Sequence, residues 1–244
     1  MPDAAALAGP LIGSSESSLN MLRWMLIGGV LSLAPALAIM TTSFVRIAVV
    51  LGILRQGFGG GQFLPTQVTT ALSLFLTIGV MTPVWTTAWN AGLAAYAPAE
   101  DATDAERRAQ LTDALARSVE PLRRFMALQV EASGNTAAVD LLLDYQAQWN
   151  VSSSPPQFYE DLPISVLLPA YVLSELKVAF VIGFQLLLPF VVIDILTASV
   201  INSLGATSLP AAWVAFPLKL LLFVLIDGWF LTAETLLASI RPFT

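Results

Sequence analysis

The sequence predicts an all-α integral membrane protein, built from broken-helix hairpins that carry a small helical insert outside the cytoplasm. Three observations lead there. Charged residues make up 11% of the chain and hydrophobic residues 56%, whereas a soluble domain uses roughly 25% charged residues. The apolar residues are also contiguous. Residues 22–40 hold one charge, Arg23; residues 68–97 hold none; residues 178–218 hold only Asp194. A hydrocarbon core takes about 20 apolar residues per helix. Finally, proline and glycine interrupt these stretches, and breaks within a membrane are tolerated where protein or a water-filled cavity satisfies the freed backbone groups.

Taken in order, residues 1–20 lack the basic start and apolar centre of a signal peptide and read as a flexible leader. A first helix follows over about residues 21–40. The next stretch, TTSFVRIAVVLGILRQ (41–56), is apolar apart from Arg46 and Arg55. GFGGGQFLP then breaks any helix through its glycines and Pro65. A second spanning helix fits 67–89, kinked at Pro83, so residues 21–89 make a first membrane hairpin. Residues 90–162 are a polar insert with eleven acids and five bases, 5 − 11 = −6, which is the whole net charge of the chain. Within it Leu111, Leu115, Val119 and Leu122 recur at helical spacing, predicting an amphipathic helix over 104–130 that Pro121 divides. A second short helix fits 140–149, and SSSPP (152–156) is loop.

Residues 163–244 form a second membrane region. Pro169, Pro189, Pro210, Pro217 and Gly205 predict two hairpins of broken helices that turn near 202–210. There is no internal repeat, which weighs against an inverted-repeat transporter. Arg55 in the short loop after the first hairpin arm places 57–65 in the cytoplasm by the positive-inside rule. The insert and both termini then lie on the far side.

Five charges stand in otherwise apolar stretches: Glu175, Lys177, Asp194, Lys219 and Asp227. Unpaired at mid-membrane, each costs roughly 2.5–3.5 kcal/mol. Glu175 and Lys177 are about 200° apart around a helix, so each needs a partner on another helix or subunit. Lys219 and Asp227 share a face and can flank one common partner, but stand too far apart to pair directly. Structural ion pairing between helices or subunits is the favoured reading, ahead of a proton or ion relay.

Catalytic patterns are absent. GFGGGQ lacks the lysine and Ser/Thr of a phosphate loop and reads as a turn. Asp194 and Asp227 lack the Gly-x-Gly-Asp signature of intramembrane aspartyl proteases, and spacing alone gives Ser174 and Lys177 no standing as a dyad. The chain has no cysteine and no histidine. Disulfides and thiolate metal sites are excluded, and general-base chemistry near neutral pH would need a strongly shifted group. Neither an enzyme activity, a cofactor nor a nucleic-acid partner is expected.

Several long motifs carry a resemblance. MTTSFVRIAVVLGILRQGFG (40–59), PTQVTTALSLFLTIGVMTPV (65–84), EPLRRFM (120–126), LLPAYVLSELKVAFVIGFQLLLPFVVID (167–194) and FPLKLLLFVLIDGW (216–229) follow one another in order and with family-like spacing. Together they resemble the FliP family of flagellar export-gate proteins. Injectisome export-gate proteins share the pattern, and Arg46 in TSFVRI favours the flagellar branch over that alternative. A stand-alone solute transporter is the competing reading from another class, with an intramembrane enzyme more remote.

The resemblance implies a homo-oligomer, a pentamer, assembled with FliQ-like and FliR-like subunits in the bacterial inner membrane at the flagellar basal body. It implies a conical gate through which unfolded flagellar subunits pass, with much of the protein above the lipid plane and a periplasmic insert. Arg46, Arg55, Glu175, Lys177, Asp194, Lys219 and Asp227 then become inter-helix or intersubunit charges. In the family a run of methionines follows the glycine matching Gly205, forming a flexible gasket; soft, unbranched methionine suits a deformable seal. Here those positions are Ala206, Thr207 and Ser208. The segment Leu204, Gly205, Ala206, Thr207, Ser208 and Leu209 is the expected constriction, with Leu204, Leu209 and Trp213 as candidates for the seal.

Overall fold

A computed structural model of the chain describes residues 9–59, 64–97, 103–148, 162–205 and 209–243. Every regular element among the described residues is helical: α1 (Gly9–Met40), α2 (Phe44–Gly57), α3 (Thr66–Ala91), a 3-10 turn (Leu93–Ala95), α4 (Asp104–Ala132), α5 (Thr136–Gln148), α6 (Ile164–Ser203), α7 (Ala211–Leu225) and α8 (Gly228–Ala238). The chain divides into two compact units, Met1–Ile39 and Met40–Thr244. In the first unit the helix begins at Gly9, so residues 9–20, read from sequence as leader, continue the first helix.

The second unit is built on α6. Its partner α2 runs alongside in the same direction: Arg46 meets Glu175, Ile53 meets Gly183, and Gly57 meets Phe190. Ile47, Val50, Leu51 and Leu54 recur every three to four residues and are buried, forming one core with Val166, Leu167, Ala170, Ala179, Ile182 and Phe190 of α6. A Cβ on Gly183 would lie 2.4 Å from Ile53 Cδ1 and 3.1 Å from its Cβ. The missing side chain therefore lets the two backbones approach.

The stretch α3 turns its small and polar side inward. Thr69, Ser73, Thr77, Met81, Val84 and Ala88 are buried, while Phe75, Ile78, Trp85 and Trp89 are exposed. The hydroxyls of Thr69, Ser73 and Thr77 donate to carbonyls of their own helix at 2.7–2.9 Å. They can thus face protein without unmet donors. Such reversed amphipathicity fits a helix whose outer side meets lipid or another chain, not water.

The capping box of α4 uses both arms: Glu106 N–H donates to Thr103 Oγ1, and Thr103 N–H donates to Glu106 Oε2 at 2.8 Å. The helix then runs unbroken through Pro121, contrary to the division expected there. Pro121 is buried, and packing on both sides outweighs the lost N–H and the ring clash, worth about 3 kcal/mol. The same correction applies to α6. Its 40 residues pass through Pro169 and Pro189 without a break, so the second membrane region carries one long helix where broken segments were expected.

The end of α6 follows the usual chemistry. Gly205 adopts φ +69° just past Leu204 and donates its N–H to Asn202 O at 3.1 Å, a left-handed stop that glycine takes at least cost. Beyond the turn, α7 and α8 meet at a 63° bend around Ile226–Asp227. Among the described residues, Thr66–Ala95 and Ile164–Ser203 are long and apolar enough to cross a membrane, as is the bent α7–α8 pair taken together. The fold is therefore that of an all-α membrane protein.

Candidate functional site

Two buried cations tie the second unit together, one at each end of α2. Arg46, in the first turn of α2, is 1% exposed. Its Nε donates to Glu175 Oε2 at 2.9 Å and its Nη2 to Glu175 Oε1 at 2.5 Å, the two-pronged match of a planar guanidinium to a carboxylate. Its Nη1 donates to Ser239 O at 2.5 Å and to Ser239 Oγ at 3.2 Å. Ser239 is the C-cap of α8. One side chain thus joins α2, α6 and the end of α8.

Lys219 of α7, 6% exposed, repeats the logic at the other end. Its Nζ donates to Asp194 Oδ2 at 2.6 Å and to Gly57 O at 2.8 Å. Gly57 is the last residue of α2. In both ties a cation meets one carboxylate of α6 and one carbonyl left open at a helix end, where the helix dipole also favours positive charge. Glu175 and Asp194 are nineteen positions apart on α6, about 29 Å along its axis at 1.5 Å per residue.

The surroundings of the two ties differ. Glu175 is buried, and Tyr171, one helical turn before it, is also fully buried with its hydroxyl unpaired. Phe125 of α4 packs edge-on to Tyr171 with centroids 6.3 Å apart. Asp194 by contrast has 48% of its side chain exposed. Around its tie Phe58, Phe190, Phe223 and Trp229 form an aromatic cluster with neighbouring centroids 4.8–6.2 Å apart.

The other charges singled out from sequence fall elsewhere. Arg55 donates through Nη1 to Thr66 Oγ1, linking the end of α2 to the start of α3. Lys177 is exposed and donates to Asn135 Oδ1 at 3.4 Å, while Asn135 Nδ2 donates to Ser174 Oγ at 3.1 Å. The α4–α5 turn is thereby seated on α6. Asp227 is exposed and, among the described residues, its carboxylate meets no partner in the fold: it does not share one with Lys219, whose carboxylate is Asp194. Leu204 and Leu209 are 76% and 50% exposed; Ala206, Thr207 and Ser208 lie outside the described residues.

Sequence reasoning missed the backbone acceptors Ser239 O and Gly57 O, because a carbonyl has no letter of its own. It also missed Gln129, which is 1% exposed. The Gln129 side-chain amide donates to Arg241 O at 2.9 Å and accepts from Arg241 N–H at 3.1 Å. Its signal was visible: Pro121, Phe125 and Gln129 lie on one face of α4, so a glutamine sits in line with buried residues.

A sequence model of the FliP family matches residues 27–236, most of the chain. The chain belongs to the FliP family. Among curated relatives it is 41% identical to "Flagellar biosynthetic protein FliP" of Caulobacter vibrioides over 213 residues, 87% of this chain and 73% of the relative. It is 34% identical to the Bacillus subtilis protein of the same name over 224 residues, covering 92% of this chain and 94% of that one. The FliP of Pectobacterium carotovorum is 37% identical over 94% of this chain and 83% of its own length. The FliP family match contains Arg46, Gly57, Glu175, Asp194 and Lys219, whereas Ser239 lies just beyond it.

Proposed function

We propose that this chain is a pore-forming subunit of a flagellar type III protein export gate, passing unfolded flagellar subunits across the bacterial inner membrane. It acts as a conduit, and its neighbours are further copies of itself together with FliQ-like and FliR-like subunits. Family membership and the relatives' role in flagellar biosynthesis support the setting.

The observation that carries the reading is the reach of apolar surface along α6. Forty residues make about 60 Å of helix, twice the roughly 30 Å of a hydrocarbon core. Leu173, Phe180, Phe184, Ile195, Val200 and Leu204 are all 47–76% exposed, and from Leu173 to Leu204 they cover about 47 Å. Lipid covers only part of that length when the helix runs near the membrane normal. Other protein must cover the rest, which favours a multisubunit assembly over a solitary transporter. In that setting the insert, residues 90–162, lies in the periplasm, and the segment 204–209 lines the constriction.

Cysteines placed singly at 204, 206 and 209 in this cysteine-free chain test the constriction. With an export substrate stalled in the assembled gate, crosslinks are expected at these positions and not at Phe75 on the exposed side of α3. Crosslinking confined to positions outside 204–209 overturns the assignment of the constriction.

A further inference from the structure

The α8 helix differs from its neighbours in how it is held. At its start stands Asp227, with φ +50° and ψ +53°, the one non-glycine residue at positive φ among the described residues. A residue with a Cβ occupies that left-handed region at a cost, smaller for Asp and Asn than for other side chains, and Asp227 stands at the 63° turn between α7 and α8. The next residue, Gly228, packs so closely that a Cβ on it would lie 2.2 Å from Phe223. The carboxylate of Asp227 makes no cap to the helix that follows.

At the far end the chain is fastened repeatedly within five residues. Arg46 binds Ser239 O, Ile240 is buried, and Gln129 makes its two amide bonds to the backbone of Arg241. Arg241 reaches Glu131 at 3.4 Å, and the Arg124 guanidinium lies 5.8 Å from the centroid of the Phe243 ring. Between these ends α8 buries only Gly228, Thr232 and Leu236, while Phe230, Leu231 and Leu237 stay exposed.

We infer that α8 is a hinged arm, pivoting at Asp227–Gly228 and clasped to the insert and to Arg46 by residues 239–243. With the clasp closed the arm lies bent, as here. With it open, Asp227 relaxes to ordinary helical dihedrals and α7 and α8 approach one continuous helix. Clasp and hinge thus oppose each other: the clasp holds a bend that the hinge residue disfavours. Hinges of this kind absorb a large dihedral change in one or two residues. The fastening combines these polar and backbone-directed bonds with the buried Leu236 and Ile240, so opening it also exposes those two apolar side chains.

The absence of cysteine allows two spin labels, at Asp140 on α5 and Glu234 on α8, both exposed, in full-length chain diluted with unlabelled copies in its membrane assembly. The native chain is expected to give one dominant distance. Gln129→Ala, which removes both amide bonds, is expected to add a second, longer population. Arg241→Ala removes only an exposed ion pair and keeps the backbone bonds, so it should leave the distribution unchanged. Asp227→Val, with a β-branched residue forced into the left-handed region, is expected to open the arm with the clasp residues intact, whereas Asp227→Gly should reverse part of the Gln129→Ala effect. A distribution unmoved by both Gln129→Ala and Asp227→Val, in chains that still assemble, overturns the inference.

Discussion

Arg46 serves four acceptors at once: two oxygens of Glu175, and the carbonyl and hydroxyl oxygens of Ser239 at the end of α8. Exchanging it for methionine leaves a buried carboxylate without its cation, a loss of about 3–5 kcal/mol for a broken buried pair. Arg46→Lys should recover little of that, because an ammonium cannot span both carboxylate oxygens and Ser239 in one plane. Lys219→Met should cost less, about 1–3 kcal/mol, chiefly for the orphaned Gly57 carbonyl, since Asp194 is half-exposed and finds other partners. Denaturant unfolding of the purified chain in detergent ranks the three; equal losses for Arg46→Met and Lys219→Met would contradict the contrast in burial. The sequence marks these residues as charges out of place in apolar runs. It cannot say who meets whom, because Arg46 and Glu175 are 129 positions apart and only the fold brings them together.

At the scale of elements, the junction of α3 with α4 offers a direct test. A Cβ on Gly92 would lie 2.3 Å from the backbone oxygen of Ala114 and 1.8 Å from Ser118 Oγ. The serine can turn away but the carbonyl cannot, so Gly92→Ala should cost about 1–3 kcal/mol, read as a lower unfolding midpoint. The start of α4 carries a pH signature. Backbone and side-chain hydrogen bonds from Thr103 hold the Glu106 carboxyl below its ordinary value. A depressed folded pKa means stability that is present above the ordinary glutamate range and lost as pH falls through the folded value. Thr103→Ala should therefore fray the first turn by about 1 kcal/mol and flatten the acid limb of helix loss, measured by hydrogen exchange at residues 104–108. Helix existence was legible from apolar runs and spacing, and the end of α6 near 202–205 from the glycine that follows it. The prolines at 121, 169, 189 and 217 misled, because local propensity cannot see the packing that carries a helix through them.

For the molecule as a whole, composition settles the membrane class, while the proposal of an assembly rests on a length. A reader of the sequence sees an apolar run through 178–218 and counts spans. Only the structure joins residues 164–203 into one rod about 60 Å long, with exposed apolar side chains over more of it than a bilayer can cover. Native mass spectrometry of the detergent-extracted chain, co-expressed with its FliQ-like and FliR-like partners, tests the central claim most directly. A defined hetero-oligomer containing several copies of this chain is the predicted result. A stable lone monomer, unchanged by those partners, would contradict the export-gate account and favour a transporter acting alone.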